Sequence, residues 1–335
     1  MKKIIISLVA ILLSLNLFAG RYAGDFLSIG GGVRAIAMGG AYSAVADDCN
    51  AIYWNTSGIG QIKESKVFAM HAYLYEGLAS YDNVAFCQPL PNDATIGINW
   101  VRLTVDDIPS FDESYLVGTN VDQRVSNPSL HLPGIPDSRF KSTDDMVQLG
   151  FSKHIHFDID FGWKFFKMPF DVFAGGNVKF IRRKLFDNYG TGTGFDLSFL
   201  AVTDLAYVFN NDIFGKVKYG MNFMDLGNTD INWDVTSDRV DEILMNTKLG
   251  ASIEQPLNFI NSNLVVSMDK DYVYGEQVRM GAELTYDKRM AVRCGYHDEN
   301  YSAGLGVTIY SFEIDYAFVT NTLGSTNRIG LNFAF

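Results

Sequence analysis

Long hydrophobic runs are rare in this sequence of 335 residues. No stretch contains 18 consecutive apolar residues, so the sequence excludes membrane-spanning helices. Nevertheless, 47% of the residues are hydrophobic and 14% are aromatic, while only 8 are proline. A chain of this composition can still enter a membrane as a β-barrel, because closure of the sheet pairs every backbone group.

Cysteine and histidine are scarce as well. The three cysteines, Cys49, Cys87 and Cys294, are widely spaced and form no CxxC pair, so neither a disulfide framework nor a zinc site is indicated. We interpret them as isolated small apolar residues, with a disulfide through Cys49 as the alternative. With five histidines and no GxSxG sequence, the chain also lacks the signature of a membrane lipase. We therefore predict a protein that is not an enzyme and binds neither a cofactor nor a metal.

Basic residues are fewer than acidic ones. The sequence has 27 Lys and Arg residues against 38 Asp and Glu residues, a formal net charge of −11. Nucleic-acid phosphates would repel a chain this acidic, so we predict no nucleic-acid partner.

The first residues have the pattern of a secretory signal peptide. Lys2 and Lys3 precede the apolar run Ile4–Leu15, and small residues follow around Ala19. This run is too short to span a membrane, which disfavours the alternative of an N-terminal anchor. We predict a signal peptide at 1–19. Its cleavage removes two lysines and changes the net charge from −11 to −13.

The last third of the chain alternates between apolar residues and polar or small ones. Five consecutive segments obey this period of two, which is typical of strands with one apolar face. They cover residues 278–286, 290–297, 301–309, 312–318 and 328–335. A soluble sandwich would show the same period. The signal peptide, the strand lengths and the terminal Phe335 favour a membrane barrel instead.

The polar face of these strands is rich in glycine and carries charges of both signs. Such a face suits a crowded lumen in which opposite charges pair, while the apolar face meets lipid. The predicted lumen-facing charges are Arg279, Glu283, Arg293, Glu313, Asp315 and Arg328. The residues predicted to form the C-terminal signal for the barrel-assembly machinery are Ile329, Leu331, Phe333 and Phe335.

Nine further strands are predicted upstream of the alternating third. They lie near Lys66–Tyr75, Ala79–Gln88, Ala94–Val105, Asp145–His154, Phe170–Phe186, Thr191–Thr203, Lys216–Leu226, Leu244–Gln255 and Asn263–Lys270. The total of about fourteen is an even number, as single-chain bacterial barrels require. The stretch Phe157–Met168 is either a fifteenth strand or an ordered turn. We therefore predict an all-β fold, a transmembrane antiparallel barrel at 64–335, with the long connections Asp106–Asp144 and Gly227–Ile243 outside the cell.

Three other motifs are interpreted as loops. Gly190–Gly194 lacks the lysine and the helix of a phosphate loop, so we expect an extracellular turn that leads into a strand. His154–Asp160 contains metal-ligand residue types, but we expect a polar periplasmic turn there. The acidic stretch around Asp106 and Glu113 is expected to be a solvated loop rather than a calcium site.

A segment that does not alternate, 20–63, precedes the first strand. Residues 31–59 read GGVRAIAMGGAYSAVADDCNAIYWNTSGI, a composition whose small side chains permit close backbone packing. We predict that this segment is a plug folded into the lumen. Its Gly39-Gly40 pair should allow a turn or a contact that a Cβ would obstruct, and a buried Trp54 would need a partner for its indole N–H.

The same run resembles the start of PorV/PorQ-type and UPF0164 proteins, relatives of the FadL long-chain fatty-acid transporters. The shared pattern is roughly G-x-R-A-x-x-M-G-G-A-x-x-A-x-A-D-D-x-x-A-x-x-W-N-P-A-G. The matching positions taken as the plug motif are Arg34, Met38, Gly39, Gly40, Asp47, Asp48, Trp54, Asn55 and Gly58. Thr56-Ser57 departs from the Pro-Ala of the pattern. We expect Asp47 and Asp48 to bond to backbone N–H groups or to lumen arginines such as Arg279, Arg293 or Arg328.

The resemblance implies a fourteen-stranded, plugged barrel in the bacterial outer membrane. It further implies a passive conduit for hydrophobic small molecules such as long-chain fatty acids. The alternative is an accessory of type IX secretion that handles secreted proteins at the cell surface. The expected partners are outer-membrane lipid, the barrel-assembly machinery, and either hydrophobic small molecules or secreted proteins. A shared fold alone does not decide between these functions.

Overall fold

The computed structural model describes residues 23–111, 136–160, 162, 167–236, 238–272 and 276–335. The predicted signal peptide lies outside these residues, as does the middle of the predicted connection Asp106–Asp144. Among the described residues, no helix is long and apolar enough to cross a membrane.

Within the described residues, sixteen strands form one antiparallel sheet. They are β1 (Lys66–Leu74), β2 (Ala79–Leu90), β3 (Ala94–Ser110), β4 (Ser138–Asp160), β5 (Lys167–Leu185), β6 (Asn188–Asp204), β7 (Lys216–Met224), β8 (Thr229–Trp233), β9 (Val240–Ile243), β10 (Asn246–Leu257), β11 (Ser262–Asp271), β12 (Gln277–Tyr286), β13 (Met290–His297), β14 (Asn300–Ile309), β15 (Phe312–Val319) and β16 (Thr326–Ala334).

Fourteen of these strands close into a barrel. Neighbours along the chain pair from β1 to β7 and from β10 to β16, while β7 pairs with β10 and β16 with β1. The other two strands, β8 and β9, form a hairpin attached to β6. The predicted all-β barrel of about fourteen strands is therefore confirmed.

The two ends of the barrel differ in their connections. The end of β3, the start of β4 and the β8–β9 hairpin lie at one end of the barrel, called here the long-loop end. The turns 287–289 and 310–311 lie at the opposite end together with Phe335, and this is called the C-terminal end. The two long connections lie at the same end, as predicted, but each contains more strand than expected: β3 runs to Ser110, β4 begins at Ser138, and the second connection contains the hairpin.

The prediction of a turn at Gly190–Gly194 is wrong. These residues belong to β6 and pair with β5, with Gly190 opposite Arg183 and Gly194 opposite Lys179. The glycines are needed because the β8–β9 hairpin packs onto β6 here. A Cβ on Gly190 would lie 2.9 Å from the Trp233 ring.

The prediction of a periplasmic turn at His154–Asp160 is also wrong. This stretch continues β4 and pairs with β5 as far as Lys167. His154 and His156 each contact a carboxylate oxygen of Asp171 on β5 at 2.8 Å. Cross-strand pairing with that aspartate explains why the polar residues remain in the strand. The strand residues that the structure describes within Phe157–Met168 belong to the end of β4 and the start of β5.

The outer face of the barrel is apolar. On β14, for example, Leu305 and Val307 point outwards, while Gly304 and Gly306 are buried. The same alternation holds on β12 to β16, where the five alternating segments were predicted. An apolar surface that encircles a closed barrel requires lipid around it, because it would otherwise be exposed to water.

Arginine in place of Leu305 is expected to destabilise the membrane-embedded barrel. Leu305 is 55% exposed, lies in the middle of β14 and pairs with Val292 and Tyr316. A charge at the bilayer midplane costs about 2–4 kcal/mol. Urea unfolding from phospholipid vesicles measures this cost. The matched control is Leu323→Arg, because Leu323 lies between β15 and β16 and is 68% exposed. Equal stability of the two variants would show that Leu305 does not face lipid.

The C-terminal residues complete the sheet at the C-terminal end. The Phe335 amide donates a hydrogen bond to the Ser65 carbonyl at 2.9 Å. Phe333 stacks on both Phe312 and Phe335, with ring centroids 4.6 and 5.5 Å apart. Ile329, Leu331 and Phe335 are exposed on the outer surface. Recognition of these residues by an assembly machinery stays a prediction.

Candidate functional site

Residues 23–62, called here the N-terminal segment, lie inside the barrel. They form three short helices, Asp25–Ser28, Val33–Ala37 and Ala51–Trp54, and the 3₁₀ helix Thr56–Gln61. Most of their side chains are buried. An irregular backbone at membrane depth is tolerated only where protein groups or water satisfy it. The barrel wall therefore has to supply hydrogen-bond partners.

A ring of glycines on the inner wall lets this segment lie directly against the strands. Nine strands contribute one glycine each: Gly97, Gly150, Gly175, Gly220, Gly250, Gly281, Gly295, Gly304 and Gly330. A Cβ on any of them would come within 3.1 Å of a segment atom, and on Gly295 it would clash with the backbone of Met38 and Gly39. A close-packed interior cannot absorb such an overlap without movement. The glycine-rich polar face of the strands is thus the surface that receives the segment.

Polar side chains of the wall bond to the backbone of the segment. Ser267 donates to the Ala41 carbonyl at 2.7 Å. Asp269 accepts the amides of Tyr42 and Ser43 at 3.0 and 2.8 Å. Other wall side chains bonded to the segment are Ser152, Asn177, Ser198, Asn222 and Ser302. These bonds fix one position of the segment, because each requires a particular carbonyl or amide.

The Gly39-Gly40 pair makes a tight turn against β12 and β13. Both residues have positive φ, +65° and +72°, which favours glycine. A Cβ on Gly39 would lie 2.7 Å from the Tyr296 nitrogen, and one on Gly40 would lie 2.7 Å from Arg279 Nη1. The predicted need for glycine is confirmed at both positions.

Trp54 and Asn55 connect distant parts of the segment to one another through hydrogen bonds. The Trp54 indole N–H donates to the Gly31 carbonyl at 2.8 Å, which supplies the partner that a buried indole needs. Lys248 lies over the Trp54 ring, with Nζ 5.1 Å from the centroid. Asn55 donates to the Ser43 carbonyl at 2.6 Å.

Hydrogen bonds hold the residues that replace the Pro-Ala of the motif. Asn177 donates to the Thr56 hydroxyl at 2.8 Å, and the Ser57 amide donates to Ser198 at 2.8 Å. Gly58 then packs so closely against the segment's own backbone that a Cβ would clash. Contacts with the wall thus anchor this turn, which has no rigid proline ring.

Arg34 joins the segment to the wall. Its Nε and Nη2 donate to the two carboxylate oxygens of Glu283, each at 2.7 Å. Its Nη1 contacts Asp47 at 2.5 Å and the Tyr42 hydroxyl at 3.1 Å. A bidentate arginine–carboxylate pair fixes orientation as well as distance. Arg34 therefore links the helix Val33–Ala37 to β12.

Glu283 belongs to a charge cluster on the wall, formed by Glu283, Arg293, Glu313 and Asp315. Arg293 donates to Glu283 at 2.6 Å, to Glu313 at 3.3 Å and to Asp315. The Arg293 side chain is only 2% exposed. With Arg34, the cluster contains two cations for three wall carboxylates.

Asp47 and Asp48 bond within the segment, and the expectation of lumen arginines as their partners is wrong. Asp47 pairs with Arg34, and Asp48 accepts the Asn50 amide at 2.9 Å and the Tyr42 hydroxyl at 3.0 Å. Burial by itself would raise the pKa of Asp47, but the nearby Arg34 charge outweighs it and lowers that pKa. Burial raises the pKa of Asp48 above its usual value. The bond to a backbone amide was expected and is present at Asp48.

Arg279 and Arg328 contact groups other than Asp47 and Asp48. Arg328 donates to the Gly30 and Ile29 carbonyls at 2.6 and 2.7 Å. Arg279 Nη2 lies 3.6 Å from Asp271. The Nε atoms of both arginines are buried and have no hydrogen-bond partner among the described residues.

A cavity of about 330 Å³ lies between the segment and the wall at the long-loop end. It is lined by the basic residues Lys248, Arg279 and Arg328 and by His297. Its apolar lining residues are Leu27, Ile29, Ile36, Leu74, Met224, Ile243, Leu244 and Val319. Acidic residues also line it, including Asp225 and Asp271. The cavity therefore combines an apolar surface with charged groups of both signs.

A second buried charge group was missed from the sequence. Lys179 on β5 pairs with Asp196 on β6 at 2.8 Å and with Asp225 after β7 at 2.9 Å. Its side chain is 1% exposed. Applying the period of two to β5 would have predicted that Lys179 lies on the inner face. The pairing itself depends on register, which the sequence does not provide.

Comparisons with known proteins add distant structural likenesses. No protein-family model matches the chain, and no curated protein matches it. The toluene transporter TbuX of Ralstonia pickettii is 12% identical, with 91% of this chain and 97% of that one covered and a TM-score of 0.47. The toluene transporter TodX of Pseudomonas putida is 9% identical, with 91% and 96% covered and a TM-score of 0.42. Omp33 of Acinetobacter baumannii is 7% identical, with 81% and 98% covered and a TM-score of 0.44. No family is assigned from likenesses this distant, and the PorV/PorQ-type identification stays a prediction.

Proposed function

We propose that this protein is an outer-membrane channel through which hydrophobic small molecules pass without an energy source. An apolar exterior around a closed barrel supports a membrane location. The polar, close-packed interior supports a channel that the N-terminal segment closes at rest, as a plug. Export by a cleaved signal peptide and insertion by the barrel-assembly machinery belong to the same proposal.

The cavity at the long-loop end carries this proposal. Its apolar lining suits a hydrocarbon chain, and the guanidinium groups of Arg279 and Arg328 suit an anionic head group. Hydrogen bonds between a guanidinium and an anion are charge-assisted and stronger than neutral ones. Long-chain fatty acids have both parts, and they are the substrates we propose.

Passage beyond the cavity requires movement of the N-terminal segment. The segment lines one side of the cavity with Leu27, Ile29 and Ile36. Its backbone or side-chain atoms lie against the glycine ring on nine strands, which leaves no gap for a hydrocarbon chain at those contacts. A ligand that replaces the carbonyl partners of Arg328 would weaken the hold of the wall on Ile29 and Gly30.

Glutamine in place of Arg279 or Arg328 is expected to weaken fatty-acid binding about tenfold or more, because hydrogen bonds to charged groups contribute about 1.5–3 kcal/mol. Binding of the fatty alcohol with the same chain should change little, since it has no anionic head. Equilibrium binding in detergent measures both ligands. Arg289→Gln is the control, because Arg289 is exposed in a turn at the C-terminal end. An equal loss for acid and alcohol would exclude a head-group site.

The type IX secretion role stays a prediction. None of the described contacts favours it over a conduit.

A further inference from the structure

Cys49 of the N-terminal segment and Cys87 of β2 lie side by side inside the barrel. Cys87 is opposite Lys66 of β1 in the antiparallel register. The Cys49 thiol donates to the Lys66 carbonyl at 3.4 Å. Both cysteines therefore adjoin Lys66, Cys49 through this hydrogen bond and Cys87 through the register of β1 and β2. Both are fully buried.

The wall around Cys87 is shaped to receive its sulfur. Gly97 of β3 is the register partner of Cys87, and a Cβ on Gly97 would lie 2.8 Å from the Cys87 sulfur. Cys294, the third cysteine, is exposed on the outer face of β13. The barrel wall therefore separates Cys294 from the other two, and only Cys49 and Cys87 share one side of it.

We propose that Cys49 and Cys87 form a disulfide that ties the N-terminal segment to the β1–β2 hairpin. The inference rests on the proposed outer-membrane location, because the compartment beneath that membrane is oxidising. The oxidant is a disulfide-containing molecule. One cysteine thiolate attacks it and releases the first oxidant thiolate, and the second cysteine thiolate then attacks the mixed disulfide. The oxidant gains two electrons and leaves as two thiols, while the protein gains one S–S bond and loses two protons.

Burial determines when this bond can form. The thiolate is the nucleophilic form of cysteine, and an apolar interior disfavours that charged form. Buried thiols therefore react slowly. The disulfide therefore forms during assembly, as the segment approaches the wall but before it is sealed in.

The proposed bond divides the segment into a fixed part and a movable part. Residues 49–62 would be fixed at both ends, by the disulfide and by β1. Residues 23–48 would stay attached by non-covalent contacts alone, among them the pair between Arg34 and Glu283. The residues of the segment that line the long-loop cavity all lie in this second part. Opening of the channel would thus move residues 23–48 and leave the rest in place.

The test compares the folded and the unfolded full-length chain. The Cys294→Ser variant is equilibrated in a fixed mixture of glutathione and glutathione disulfide, either refolded into detergent or held in concentrated urea. Free thiols are then alkylated under denaturing conditions and mapped by peptide mass spectrometry. We expect a larger cross-linked fraction in the folded protein, with Cys49 and Cys87 losing alkylation together. The added Cys87→Ser substitution should leave Cys49 alkylated in both states.

A cross-linked fraction in the folded protein equal to or below that in urea would overturn the proposal, since folding would then not bring the thiols together productively. In wild-type protein, a disulfide to Cys294 would also overturn it. The experiment does not measure ligand binding, so its outcome is independent of whether the channel carries fatty acids.

Discussion

Methionine in place of Arg293 is expected to lower the free energy of unfolding by about 3–5 kcal/mol, because removal of one partner leaves buried charge uncompensated. Arg293 holds Glu283, Asp315 and Glu313 together on the inner wall. Methionine keeps much of the side-chain volume but provides no hydrogen bond. Arg34 then remains as the cation nearest to Glu283 and is shared with Asp47. Urea unfolding from phospholipid vesicles measures the loss.

The control for this variant is Arg289→Met. Arg289 precedes β13, and its side chain is 75% exposed beside Asp287 at 3.6 Å. An exposed pair of this kind contributes about 0–1 kcal/mol, so the control should unfold almost as wild type does. If Arg293→Met is as stable as Arg289→Met, the wall charge cluster does not hold the barrel together.

Period two predicted the strands, while the signal peptide, the strand lengths and the terminal Phe335 favoured a barrel over a sandwich. On β12 to β16 the apolar residues occupy every second position, and that pattern determines which side chains face outwards because side chains alternate between faces. The observed bounds of most strands lie within a few residues of the predicted ones. Turns were harder to predict. Gly190–Gly194 looks like a turn in sequence, but its glycines are explained by contacts with the β8 residues Trp233, Ile231 and Thr229.

Short and non-local features could not be predicted in the same way. The strands β8 and β9 have five and four residues, too few for a period to be evident. Lys179 and Asp225 are neighbours only because β5, β6 and β7 pair in one register. The presence of charges on the inner face follows from sequence, but their pairing follows from the sheet.

In the plug motif too, the local needs of single residues were predictable and their distant partners were not. Its glycines and its tryptophan could be assigned physical needs from sequence, and the structure meets them at Gly39, Gly40 and Trp54. The partner of Asp47 was predicted on the wrong element, because the nearest cation, Arg34, lies in the segment itself. Asp48 accepts a backbone amide, as expected. The match between glycines of the wall and the backbone of the segment could not be read from either sequence stretch alone.

Removal of residues 34–58 is expected to convert the closed barrel into an open pore. A fourteen-stranded barrel is close in size to porins, whose 16–18 strands leave an aqueous channel when nothing fills the lumen. The deleted residues contain the contacts to Gly220, Gly281 and Gly295 and the bonds to Ser267 and Asp269. The strands themselves remain intact, and heat-modifiable migration in electrophoresis reports whether the barrel assembles. Gly295→Val is the companion variant: it keeps the whole chain but should push Met38 and Gly39 from the wall and give an intermittent leak.

Single-channel conductance in planar bilayers tests this account most directly, because it reports whether the N-terminal segment closes the lumen. The wild-type protein should show little ion conductance. The assembled deletion variant should show steady, large openings. If the assembled deletion variant stays as closed as wild type, strand side chains or outer loops fill the lumen, and the N-terminal segment is not the gate.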